Sequence, residues 1–285
     1  MVNLPQFDTL KEHKLQELLN HPAVQAGLAP FLAALIAAEL FQRIKLSGLA
    51  VIAGFAATVY LASDFSIVPL TATRKIILLG SISATLGILL GLIRLSLFTW
   101  LLPVLGGAAA VWTAQRVLQQ QEPQIVLLWG AGCAAYVAAL VWGMDMLENQ
   151  SPRAAAAATA LGIGTGGAAL VGASALLGQF GLALGSAAAA HLLIQMTTNR
   201  TLPAGRMFTL PLAMIAGLTG CIAVLSARTP WYALAILACI PIVARLAPLR
   251  AQSVRIQSLL LTLLTFACAG GAVYLTWRVA GDVPF

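Results

Sequence analysis

Charged residues cut the chain into long apolar runs at roughly 23–41, 46–62, 76–93, 95–117, 125–147, 154–177, 180–196, 207–226, 231–247 and 256–279. About 20 apolar helical residues cross about 30 Å of hydrocarbon, so each run predicts a membrane span. Two breaks need a length argument. Between Lys75 and Arg116 the only charge is Arg94; one helix over 75–117 would be about 65 Å long, twice the hydrocarbon thickness, so a turn is expected near Arg94. Residues 154–196 hold no Asp, Glu, Lys or Arg, and the same reasoning places a turn at Gly178-Gln179-Phe180-Gly181. The six tryptophans (Trp100, Trp112, Trp129, Trp142, Trp231 and Trp277) all fall within about two turns of a segment end, as in an interfacial aromatic belt.

Residues 1–22 read differently. Thr9 and Glu12 have capping-box spacing, so a short helix is expected to start there and stop before His21-Pro22. Phe7, Leu10, Leu15, Leu18 and Leu19 share about half its circumference, with Lys11 and Lys14 in the same arc. It is read as an interfacial or cap helix. A cleaved signal peptide is not expected, because the first apolar run begins after Pro22 and continues to a full span.

Composition agrees with the pattern. The chain has 285 residues, 60% hydrophobic and 9% charged, with a mean hydropathy of +0.92; a water-soluble domain carries about a quarter charged residues. The expected fold class is therefore all-α, a polytopic transmembrane bundle of about ten spans. The net charge is +7, yet the basic residues stand singly between apolar runs. That suits loops touching anionic lipid and gives no reason to expect nucleic acid. Twelve Arg against four Lys, with abundant Ala, fits the codon bias of a GC-rich bacterium and so a bacterial cytoplasmic (inner) membrane.

A repeat is suggested by landmarks at one offset: Pro69 to Pro203, Arg94 to Arg228 and Arg116 to Arg250 are each 134 residues apart. The chain is accordingly divided into residues 23–147 and 154–279, five segments each. An odd number of spans per half makes the second copy enter the membrane in the opposite sense, an inverted repeat. Basic residues favour the N-terminal side five to four in the first half and the other side five to two in the second.

Acidic residues limit the chemistry. Residues 149–281 contain no Asp or Glu, so paired carboxylates or an Asp-bound Mg²⁺ would have to come from Glu39, Asp64, Glu122, Asp145 and Glu148. Glu39, one turn before Arg43, reads as an ion-paired residue or as a cation-carrying group just inside the membrane. Asp145 is expected in the last turn of segment five, near enough to the interface to be solvated. Asp64, Glu122 and Glu148 are expected in loops facing water. His191 is the most deeply placed ionisable group, roughly midway along segment seven with Gln195 one turn on. His191, Gln195, Glu39 and Asp145 are the candidate pathway residues, against the alternative that each is structural.

Cys133, Cys221, Cys239 and Cys268 lack C-x-x-C spacing and read as small packing residues. No catalytic set, metal site or cofactor is assigned. Segment six has a small-residue face of Thr159, Gly162, Gly166, Ala169 and Ala173; Gly87 with Gly91 and Gly181 with Gly185 have GxxxG spacing. Gly172-Ala173-Ser174 lacks the second glycine of a nucleophile elbow, which leaves a Ser174–His191 dyad as a minor alternative. Pro103, Pro211 and Pro241 predict kinks or transporter-style breaks.

Ten short-looped segments in two candidate inverted halves resemble the drug/metabolite transporter permeases of the EamA type, which implies a substrate path between the halves. Arg200-Thr-Leu-Pro-Ala-Gly-Arg206 resembles the R-P-L-P-S-G segment of UbiA-type prenyltransferases, and Tyr60-Leu-Ala-Ser-Asp64 resembles the opening of their first acidic motif. Those enzymes hold diphosphate through Mg²⁺ on clustered aspartates, a spacing missing here in both halves. The leading expectation is a permease for a small organic solute, with the bilayer as its surroundings. The alternatives are a structural subunit packed against membrane-complex partners or further copies of itself, and a lipid-modifying enzyme.

Overall fold

A computed structural model describes residues 16, 20–44, 46–63, 68–93, 98–226, 229–248 and 253–281. Every described regular element is helical. A π-helical turn, Val24–Leu28, leads into α1 (Ala29–Phe41), and a 3-10 turn, Ser47–Leu49, into α2 (Ala50–Ala62). Then follow α3 (Ala72–Ile93), α4 (Phe98–Leu118), α5 (Pro123–Asp145), α6 (Ser151–Gly172), α7 (Ala175–Thr198), α8 (Arg206–Ser226), α9 (Trp231–Leu246) and α10 (Val254–Ala280). Among the described residues, eight helices, the first being Val24–Phe41, are long and apolar enough to cross a bilayer; Ser47–Ala62 and Trp231–Leu246 are apolar but shorter. Length and composition thus mark a helical membrane bundle.

The bundle is built around α8. In its apolar span 94% of residues are buried, against 28% for α10, because α3, α4, α5, α6 and α7 all pack on α8 while α10 lies outside against α6 and α9. The α1–α2 pair packs on α7. The α6–α7 hairpin supplies the closest approach: a Cβ on Gly166 or Gly181 would strike the backbone of the other helix, as would one on Gly162 or Gly185. Apolar side chains gain nothing from leaving lipid, so contact of backbones through small residues is what holds such helices together.

That packing corrects the expected turn. The α6–α7 break is at Ala173-Ser174, where the Ser174 hydroxyl accepts a hydrogen bond from the Leu177 N–H at 3.3 Å and caps α7. Gly178 and Gly181 lie inside α7 and serve the contact with α6 instead. A Ser174–His191 dyad is also removed, since 17 residues of one helix separate the two by about 25 Å. The helices run unbroken through Pro103, Pro211 and Pro241. Trp100, Trp112, Trp142, Trp231 and Trp277 are exposed and Trp129 is half-buried against the core. Cys133 and Cys221 are buried, Cys239 exposed and Cys268 intermediate, all as free thiols. The capping-box helix, the turn near Arg94, and Asp64, Arg228 and Arg250 lie outside the described residues.

Candidate functional site

One end of the bundle gathers most of the buried charge. Ser47–Leu49, the ends of α5, α7 and α9 and the starts of α4, α6, α8 and α10 meet there. The connection 199–205 between α7 and α8 folds inward rather than looping out. Asn199 ends α7 in the left-handed region (φ 52°) and Gly205 does so before α8 (φ 63°). Between them Leu202 and Ala204 are buried. Ser47 donates to the Pro203 carbonyl at 2.9 Å, Ser151 to that of Leu202, and the Gly205 N–H to that of Glu148 at 3.2 Å. A side chain at Gly48 would strike the Ala204 carbonyl.

This connection delivers Arg206 into an ion cluster. Its Nε donates to Asp145 at 2.8 Å and lies 2.9 Å from a Glu148 carboxylate oxygen; a terminal nitrogen reaches Asp145 at 3.2 Å and the Thr99 hydroxyl at 2.9 Å. Arg206 and Asp145 are both buried. Asp145 is therefore not solvated near the interface as expected, because Arg206, 61 residues on, covers it. Glu148, expected to face water, is half-covered, and burial raises its carboxyl above the ordinary value of 4.5 against the opposing pull of Arg206. Two carboxylates on one guanidinium leave the cluster one negative charge in excess. Neighbouring arginines are engaged elsewhere: Arg153 donates to the Ala244 and Ala247 carbonyls at 2.7 and 2.9 Å, closing the C-terminus of α9, and Arg255 donates to Thr197 at 2.7 Å.

Beneath the cluster are His191 and Gln195. Both are fully buried, and neither ring nitrogen of His191 nor either amide atom of Gln195 has a hydrogen-bond partner. The Leu202 carbonyl, which accepts from Ser151, also approaches the ring without reaching hydrogen-bond geometry. The Phe208 ring lies 4.8 Å from that of His191, centroid to centroid. Since α7 extends to Thr198, His191 is about 10 Å from its end rather than midway. A neutral imidazole offers one donor and one acceptor and the carboxamide offers both, so together they can meet a solute of mixed polarity. Deeper in the bundle the hydroxyls of Tyr136 and Thr165, which approach each other, and that of Thr219 are also buried.

Glu39 stands apart. It is exposed on α1 and accepts from the Gln42 amide at 2.6 Å, while no ion pair with Arg43 forms among the described residues. Of the four residues singled out by sequence, the structure sets His191 beside Gln195 on one helix and ties Asp145 to Arg206. Arg206, Glu148 and Thr99 were missed as site residues. Arg206 was visible only as the end of the R-T-L-P-A-G-R segment, with nothing local to show its partner. Among the described residues no three His, Cys, Asp or Glu side chains are grouped to hold a metal ion. Comparison with known proteins finds no matching family model, curated protein or solved structure.

Proposed function

We propose that the chain is a ten-span permease for a small organic solute, with Ser47–Ala62 and Trp231–Leu246 completing the crossings. The observation that carries this reading is the His191–Gln195 pair, four polar atoms buried without partners. A buried polar group left unpaired costs about 1–3 kcal/mol, and leucine at either position would avoid the cost. A solute entering from the polar end supplies the missing hydrogen bonds. The Asp145–Arg206–Glu148 cluster and the inward 199–205 connection lie over the pair, and their separation opens the way to it. The buried hydroxyls of Tyr136, Thr165 and Thr219 extend the polar interior toward the other end.

The test is uptake into proteoliposomes from a panel of small metabolites. At least one solute is moved, and His191→Ala and Gln195→Ala each lower its uptake more than tenfold without lowering the unfolding temperature. If no solute moves, and mild-detergent purification brings other membrane proteins along in fixed ratio, the chain is an assembly subunit and the permease reading fails.

A further inference from the structure

Helices α3 and α4 are consecutive, yet they scarcely touch: each packs on α8 and they splay apart. The crevice between them holds about 350 Å³, walled by Leu79 and Leu86 of α3 and Leu102 and Trp112 of α4, with Leu210 and Met214 of α8 as its floor. Ile82 and Leu105 on its rims are exposed, so it opens sideways toward hydrocarbon. Trp112 to Leu102 spans ten residues, about 15 Å of helix, which is the depth of one leaflet of a bilayer about 30 Å thick.

The mouth of the crevice is cationic. Lys75, in the first turn of α3, donates to the Trp112 carbonyl at 2.7 Å and sits 4.6 Å from the centre of the Trp112 ring. Lys75 is itself buried, and of the three N–H groups of its ammonium two are not used by the Trp112 carbonyl. Arg116 is one turn beyond Trp112 on α4, exposed, and close enough for its charge to act on Lys75. Arg74 is beside them, donating to the Pro69 carbonyl at 2.8 Å. Among the described residues none of the three has a carboxylate in ion-pair range. Unneutralised cations at an interfacial tryptophan, above an apolar slot one leaflet deep, complement an anionic headgroup and its chain.

We infer that the α3–α4 crevice is a binding site for an anionic phospholipid, one acyl chain lying on Leu210 and Met214 and the phosphate meeting Lys75 and Arg116. The site is separate from the solute reading and stands or falls without it. Native mass spectrometry of the full chain from nanodiscs containing equal phosphatidylglycerol and phosphatidylcholine, with identical acyl chains, tests it. Wild type retains phosphatidylglycerol about tenfold or more over phosphatidylcholine. Each cation at the headgroup level contributes about fivefold, so Lys75→Gln with Arg116→Gln removes most of the preference, and Arg116→Gln alone, at an exposed position that does not endanger folding, removes about fivefold. Ala109→Trp fills the crevice and lowers retention with the cations intact. Equal retention of the two lipids by wild type, an unchanged ratio in Arg116→Gln, unchanged retention in Ala109→Trp, or a second copy of the chain held in place of lipid overturns the proposal.

Discussion

At the residue scale, two buried polar constellations respond to mutation in opposite ways. Arg206 pairs with Asp145 and Glu148 at once, so Arg206→Gln leaves both carboxylates without a counter-charge. A loss of about 3–5 kcal/mol is expected, read as a lower unfolding temperature in detergent and partly restored by adding Asp145→Asn and Glu148→Gln; an unchanged temperature would show that the cluster is dispensable. His191 carries unpaired atoms, so His191→Leu is expected to hold or raise stability while abolishing uptake. Loss of folding instead would make the histidine structural. Glu148 adds a pH dependence. Burial raises its folded-state pKa above the ordinary 4.5, so its contribution to stability is complete below that value and fades as pH rises through the raised one. Glu148→Gln should flatten this limb, and a limb of opposite slope in wild type would show that ion pairing outweighs burial. The sequence marked the candidate pair as a histidine and a glutamine one turn apart in an acid-free apolar run, and left it open between a pathway role and a structural one. The ion cluster was not, because residues 61 apart carry no local mark of their pairing.

At the element scale, α6 and α7 show how glycine in lipid differs from glycine in water. In a soluble chain, Gly178 to Gly181 punctuates a turn; here the same residues let two helices touch backbone to backbone. Gly166→Val should therefore disrupt the hairpin by about 1–3 kcal/mol. At Gly271 a Cβ would meet nothing within 4 Å, so that position should accept alanine and gain up to about 1 kcal/mol of helix propensity. Unfolding measured on both variants separates the roles; equal effects would refute the distinction. The turn signal that counts is Ser174, whose hydroxyl caps α7, and Ser174→Ala should cost about 1 kcal/mol. Segment boundaries elsewhere fell close to expectation, because polar residues interrupt the apolar runs near the helix ends.

At the scale of the whole molecule, the enclosed position of α8 decides the layout: one helix buried at 94% lets the ion cluster, the His191–Gln195 pair and the floor of the α3–α4 crevice all share a single axis. α6 lies against α7, α8, α9 and α10, whereas α1 rests on α2 and reaches across to α7. Hydropathy alone determined that the chain is helical, that it belongs in a bilayer and about where each helix begins and ends, since those follow from the cost of leaving backbone and charge in hydrocarbon. Only the tertiary structure decided which helix is central, which glycines pack rather than turn, and that Asp145 is covered by Arg206. Those choices depend on contacts between distant segments, and in lipid, where every apolar face is equally at ease outward, hydropathy does not say which face turns in.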